Sequence, residues 1–223
     1  MKMRIATELS RFQKYNDLVH IHFDQNIGYL ENNRKGLREM TRKLDQRIRR
    51  FEKKYPDSFA SIENDLQSDI AKYGSATFNP ILNETTFINS YSLFESLLKK
   101  LCDLAAEQVG MTFRPKDLGN FAESCTAFLE SEMEIDLSAL KPSLKELKIY
   151  RQIQSRLVHK EQEKKMDPQL ENFLSGNTHF RLRNAAKESF YIYDPQFVIE
   201  FCDLANKYLS TISQKLDKRF PPR

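Results

Sequence analysis

Within the stretch Tyr150-Arg151-Gln152-Ile153-Gln154-Ser155-Arg156-Leu157-Val158-His159-Lys160-Glu161 stand the side chains that a metal-free attack on a phosphodiester would need. Histidine titrates near neutral pH and suits removal of a 2′-hydroxyl proton. Arginine suits the negative charge that builds on the phosphorane. At about 100° per residue on a helix, Leu140, Leu144, Leu147, Tyr150, Ile153, Leu157 and Val158 cluster on one side. Gln154 falls inside that arc and Arg151 at its edge, while His159 lies further round at the C-terminal end. Polar groups in an apolar arc must be paired or face a cleft, so this helix is expected to form the wall of a site. As a plain terminal residue, His159 would be favoured in its charged form by the helix dipole.

Three stretches, in this order, point to one family. Ile153-Gln154-Ser155-Arg156-Leu157-Val158-His159-Lys160 is similar to the I-R-N-x-(I/L/V)-V-H signature of HEPN domains, small helical proteins that include many metal-independent RNases. The segment from Asn89 to Cys102, with Tyr91, the Phe94-Glu95 pair and its leucine ladder, resembles the first HEPN helix. The segment from Tyr193 to Cys202 is similar to the last one. The resemblance covers residues 76–217, and the order and spacing of the motifs carry it.

That resemblance implies a metal-independent endoribonuclease of toxin–antitoxin or phage-defence physiology, needing no cofactor. It further implies a homodimer in which two motif helices face each other, RNA as the substrate, and a cognate antitoxin or defence protein as partner. His159 would take the proton. Gln154 stands where the family has its arginine, so Arg151, one turn earlier, would have to supply the charge. Ser155 occupies the family's polar position and would bond to phosphate. Glu95 would orient Arg151 or bond Gln154, or would be a solvated helix carboxylate. Arg156 and Lys160 are expected RNA contacts beside the motif. A reading from another class is a non-catalytic HEPN-like module that binds RNA or a protein partner, and Gln154 favours it. Glu161 stands where HEPN toxins paired with a nucleotidyltransferase antitoxin carry tyrosine, which argues against that subclass.

The elements that must position these groups are helical. Only six glycines and eight prolines interrupt 223 residues, and no stretch alternates with the period of a strand. The expected fold is all-α, a HEPN-like helical bundle (76–223) with an N-terminal antiparallel, coiled-coil-like arm (1–75). The arm should hold a helix over 5–25, with Ile5, Leu9, Phe12, Leu18 and Ile21 as its apolar positions. A second helix over 26–54 carries a seven-residue seam, Leu30, Leu37, Leu44 and Phe51, with Met40 and Ile48 beside it. Pro56 should end it, and residues 58–73 should return. Helices are then expected over 85–109, 117–133 and 140–165. A short helical piece should follow Asp167-Pro168, and Tyr191 to Tyr193 should be extended. The last helix, 196–218, should be capped at Asp194 with Val198, Phe201, Leu204, Leu209 and Ile212 inward.

A net charge of +4 conceals a dipolar chain. Residues 34–54 hold ten Lys or Arg against three acids, whereas residues 117–140 hold acids and no base. The basic stripe is a solvated face, an RNA track through Arg42 and Arg49, or a contact for the acidic segment. His20 and His22, two apart, do not share a helix face, so no metal site is expected. His179 with Arg181 and Arg183 reads as a surface loop or a secondary phosphate contact. Cys102, Cys125 and Cys202 lack CxxC spacing and read as buried free thiols of a reducing cytoplasm. No run approaches membrane-spanning length and the N-terminus has no apolar leader segment, so a cytoplasmic protein without membrane contact is expected.

Overall fold

The computed structural model describes residues 9–56, 75–115, 120–159, 166–182 and 189–221. Among these the fold is all-α, with six helices and one small hairpin. They are α1 (Arg11–Lys54), α2 (Ser75–Gln108), α3 (Phe121–Ser131), α4 (Lys141–His159), α5 (Pro168–Gly176) and α6 (Gln196–Arg219). A 3-10 turn, Ser138–Leu140, leads into α4. Strands β1 (Phe180–Leu182) and β2 (Phe190–Ile192) pair antiparallel, Arg181 opposite Tyr191. The sequence had suggested an extended segment only around the second of them.

Where two helices were expected before Pro56, there is one of 44 residues. Nothing between Gln25 and Gly28 breaks the ladder, since a lone glycine in a helix costs only about 1 kcal/mol. The helix stops at Lys54, next to the non-helical residue that precedes Pro56. At the other end, α2 begins at Ser75 and runs through Pro80, forgoing one backbone bond rather than starting at Thr85. The expected return helix over 58–73 and the expected core residue Ile5 lie outside the described residues.

The chain divides into two compact units, each discontinuous in sequence. The first contains residues 1–25, 88–161 and 199–223, the second residues 26–87 and 162–198. Both units draw on stretches either side of residue 75.

In the first unit an aromatic cluster forms the core. Phe94 is fully buried against Tyr91, Phe201 and Tyr208, at ring separations of 5.9, 6.2 and 6.0 Å. Tyr150 of α4 meets Phe201 at 5.1 Å. The polar ends of these rings are accommodated: Tyr208 shares a hydrogen bond with the Thr126 hydroxyl, and the Tyr15 hydroxyl donates to the Leu97 carbonyl at 2.6 Å. The start of α1 buries Phe12, Tyr15, Val19 and Phe23, an i, i+3, i+7, i+11 stripe. Leu9 and Ile21, expected inside, stand half exposed, because that stripe already fills the inward face. The three cysteines are buried free thiols.

The second unit is built around Phe180, which contacts Phe173, Phe190 and Phe197. Asn83 of α2, wholly buried, ties the hairpin down by donating to the Ile192 and Tyr193 carbonyls at 3.1 and 3.2 Å. The helices flanking the hairpin are capped by aspartates: Asp167 accepts from the Gln169 amide and Asp194 from the Gln196 amide.

The seven-residue seam of α1 is buried only at its start. Leu30 is fully buried, Leu44 and Phe51 are 41% and 38% exposed, and Met40 is more exposed still. Leu30→Ala should therefore cost about 2–5 kcal/mol, the range for truncating a buried leucine. Leu44→Ala should stay within about 0.5 kcal/mol, as for surface changes. Urea unfolding of the two variants checks this, and equal losses would mean that the exposed half of the seam is covered in solution.

Candidate functional site

Two dipeptides from different helices build the site by the same local logic. On α2, Phe94 is in the core and Glu95 is the next residue round. On α4, Tyr150 is in the core and Arg151 is the next residue round. A step of about 100° from a buried position leads to the helix flank, where both charged side chains are about one-third exposed. There Arg151 Nη1 donates to Glu95 Oε1 at 3.1 Å, the pairing that the sequence suggested. The Tyr91 hydroxyl, one turn before Glu95, is hydrogen bonded with Arg151 as well.

Burial governs the electrostatics. It raises the Glu95 carboxyl above the usual carboxylate range, and the attraction of Arg151 only partly offsets this. Burial likewise pushes up the Tyr91 phenol, with Glu95 adding to the effect and Arg151 opposing it. Tyr91 therefore stays neutral and can donate a hydrogen bond throughout the physiological range.

Arg151 and Tyr91 also line a small cleft with Lys148, Glu123 and the first turn of α3. Lys148 Nζ lies 3.2 Å from Glu123 Oε1 across that cleft. The first-turn amides of a helix carry partial positive charge and no intrahelical acceptor. Two cations and a helix start thus converge on one opening, balanced by two carboxylates. Tyr91, Lys148 and Glu123 were not among the candidates from the sequence. Lys148 had a local signal, three residues before Arg151 on the same face. Glu123 had none, because only the tertiary packing of α3 brings it there.

The remaining candidates are placed as follows. Gln154 and Ser155 are half-buried on α4, and His159 is its last residue, exposed. His159 stands eight residues beyond Arg151, about 12 Å along the axis, so one copy of α4 does not bring the two together. Arg156, expected at the surface as an RNA contact, is instead 8% exposed. The buried row of α4 runs Leu147, Tyr150, Ile153, Arg156 at three-residue spacing, and Val158, expected inside, is 43% exposed. Lys160 lies outside the described residues. Arg42 and Arg49 are exposed on α1 in the second unit. His179 Nδ1 faces Asp194 at 3.3 Å. Among the described residues no group of three His, Cys, Asp or Glu could hold a metal ion, and no helix is long and apolar enough to cross a membrane.

No family model, no curated protein and no solved structure matches the chain.

The raised Glu95 pKa makes a signed prediction. A carboxyl whose folded pKa exceeds its unfolded value holds an extra proton in the folded state, so its contribution to stability falls as pH rises through that window. Glu95→Gln removes the titration. Its stability relative to wild type should improve as the pH rises through and above the ordinary glutamate range. Urea midpoints across this range test the sign, and a flat difference would show that Arg151 fully compensates the burial.

Proposed function

We propose that the chain is a HEPN-type endoribonuclease that cleaves RNA without a metal, at a site completed by a second copy of the chain. The observation that carries this reading is the Tyr91–Glu95–Arg151 constellation, a guanidinium held at the rim of a cleft beside a helix start. A phosphodiester at the mouth of this small cleft meets Arg151 and Lys148 beside the first turn of α3, a set suited to an anionic transition state. His159 takes the proton of the 2′-hydroxyl. The oxygen attacks the adjacent phosphorus, the bond to the 5′-oxygen breaks, and that oxygen leaves with a proton, giving a cyclic phosphate.

Two copies are needed because of the spacing on α4. Ser155 lies midway between Arg151 and His159, and the three residues follow one another at four-residue intervals along one stripe. A two-fold axis at Ser155, with the helices antiparallel, sets the His159 of each copy opposite the Arg151 of the other. The exposed Val158 beside that stripe supplies apolar contact. The resemblance suggests toxin–antitoxin or phage-defence physiology for such an activity, with a cognate antitoxin or defence protein as partner.

Gln154 at the family's arginine position, together with the engagement of Arg151 by Glu95, favours a second reading. In it the same cleft binds RNA without cleaving it.

Purified protein should cleave single-stranded RNA in EDTA. His159→Ala and Arg151→Ala should each lower the rate by about 100-fold or more, the scale of a lost general base, and Gln154→Arg should equal or exceed wild type. Cleavage by Arg151→Ala at the wild-type rate would remove that residue from the mechanism. Salt-sensitive RNA binding without cleavage in wild type, with cleavage gained in Gln154→Arg, would establish the second reading instead.

The dimer is tested separately. Light scattering should give a dimer at micromolar concentration, and Ser155→Arg, which sets like charges together at the axis, should split it. A monomeric wild type would sink the two-copy site.

A further inference from the structure

The part of α1 that belongs to the second unit carries a long apolar stripe at its surface. Tyr29, Met40, Leu44, Phe51 and Tyr55 are 57%, 68%, 41%, 38% and 45% exposed. At about 100° per residue these five fall within an arc of about 80°, along about 39 Å of helix axis. Exposed apolar side chains scattered singly are ordinary, whereas a row of large ones marks an interaction surface. Local contacts shape its end: the Phe51 and Tyr55 rings lie 5.3 Å apart, and Lys54 Nζ sits 5.0 Å from the centre of the Tyr55 ring.

Period and charge say what covers such a stripe. Leu37, Leu44 and Phe51 recur every seven residues, the spacing with which one helix meets another. Neither a nucleic-acid backbone nor a lipid surface requires that period. The flank beside Met40 and Leu44 carries Lys43, Arg47, Arg50 and Lys54, all exposed, and no acid. Glu39 reaches Lys43 from the far side, at 2.8 Å. A second copy of this helix is a poor match, because residues 34–54 would set ten Lys or Arg against ten more, with three acids on each side. The acidic stretch of another copy, residues 117–140, fits little better. Its helix α3 has 11 residues, about 16 Å, and Glu123 and Glu134 are paired with Lys148 and Arg219.

We propose that this face of α1 docks an acidic amphipathic helix of a partner protein. The partner's apolar seam covers Met40, Leu44 and Phe51, and its flanking carboxylates meet Lys43, Arg47, Arg50 and Lys54. Burial of the stripe supplies the attraction. The charges select the partner, since exposed ion pairs add little energy while like charges brought together cost more. The docked helix needs about four turns to span Met40 to Tyr55, about 22 Å. This contact is independent of the ribonuclease reading, because it lies wholly on the second unit.

The test is fluorescence anisotropy of a labelled three-heptad peptide, with leucine at both seam positions and glutamate at both flanks, titrated with the full chain. It should bind one-to-one at about ten micromolar or tighter and more weakly as salt rises. The same peptide with lysine at the flanks should not bind. Met40→Glu with Leu44→Glu should abolish binding with an unchanged melt, since both side chains are exposed. Arg47→Glu with Arg50→Glu should weaken the glutamate peptide about tenfold or more and admit the lysine peptide. Absence of binding, equal binding of the two peptides, or wild-type affinity in both double variants would overturn the proposal. Tighter binding of poly(U) or of phosphatidylserine vesicles, lost in the same variants, would give the surface to RNA or to a membrane instead. Self-association lost in Met40→Glu with Leu44→Glu but kept in Ser155→Arg would give it to a second copy.

Discussion

The packing of Phe94 against Tyr91, Phe201 and Tyr208 sets the rotation of α2, and the chemistry of the first unit follows from it. With Phe94 fixed in the core, its neighbour Glu95 has one place to go, the flank. The same argument applies to α4, where Tyr150 against Phe201 commits Arg151 to the facing flank. Each helix therefore presents one charge at the margin of a shared aromatic core. A half-buried charge needs a partner, and each is the other's. Register and electrostatics are thus one constraint.

The arrangement is not the cheapest way to hold two helices together. Exposed ion pairs contribute about 0–1 kcal/mol, and partial burial adds a desolvation cost that can cancel the attraction. The direction of the Glu95 shift shows that cost outweighing the benefit from Arg151. Two apolar residues would close this margin with less penalty. On the proposed reading, an ion pair at a cleft mouth with a neutral tyrosine behind it is poised for an anion, because a phosphate can take over the guanidinium when it arrives.

What the sequence revealed and what it withheld divide along physical lines. Helix class, the stop at Pro56 and the starts at Asp167-Pro168 and Asp194-Pro195 were legible, since these residues act locally on the backbone. So was the Glu95–Arg151 pair, because each residue follows an aromatic on a helix of clear period. Facing was less legible. At the start of α1 the apolar positions outnumber the inward ones, and the choice among Tyr15, Leu18, Val19 and Ile21 is made by packing on α2 and α6 rather than by periodicity. On α4 the buried row advances at three-residue spacing and sweeps round the helix, so Arg156 turns inward and Val158 outward. A fixed arc of 3.6 period misses that drift. Glu123 was illegible in principle, because residues far apart in sequence meet there through packing alone.

If the proposed two-copy ribonuclease site holds, the division of Arg151 and His159 along α4 has a kinetic consequence. A histidine exposed at a helix end is a weak base catalyst by itself, since water surrounds both it and any substrate it meets. Opposed to the Arg151 of another copy, it gains a substrate phosphate held at fixed distance and a drier setting, where electrostatic stabilisation counts for more. Below the dimerisation constant the number of complete sites rises as the square of the protein concentration, while each isolated chain remains inert. A ribonuclease built this way is silent when dilute and active when abundant, without any further regulatory element. On the same proposal, a partner covering the α4 stripe at Ser155 and Val158 would suppress activity fully, without touching the cleft proposed to bind RNA.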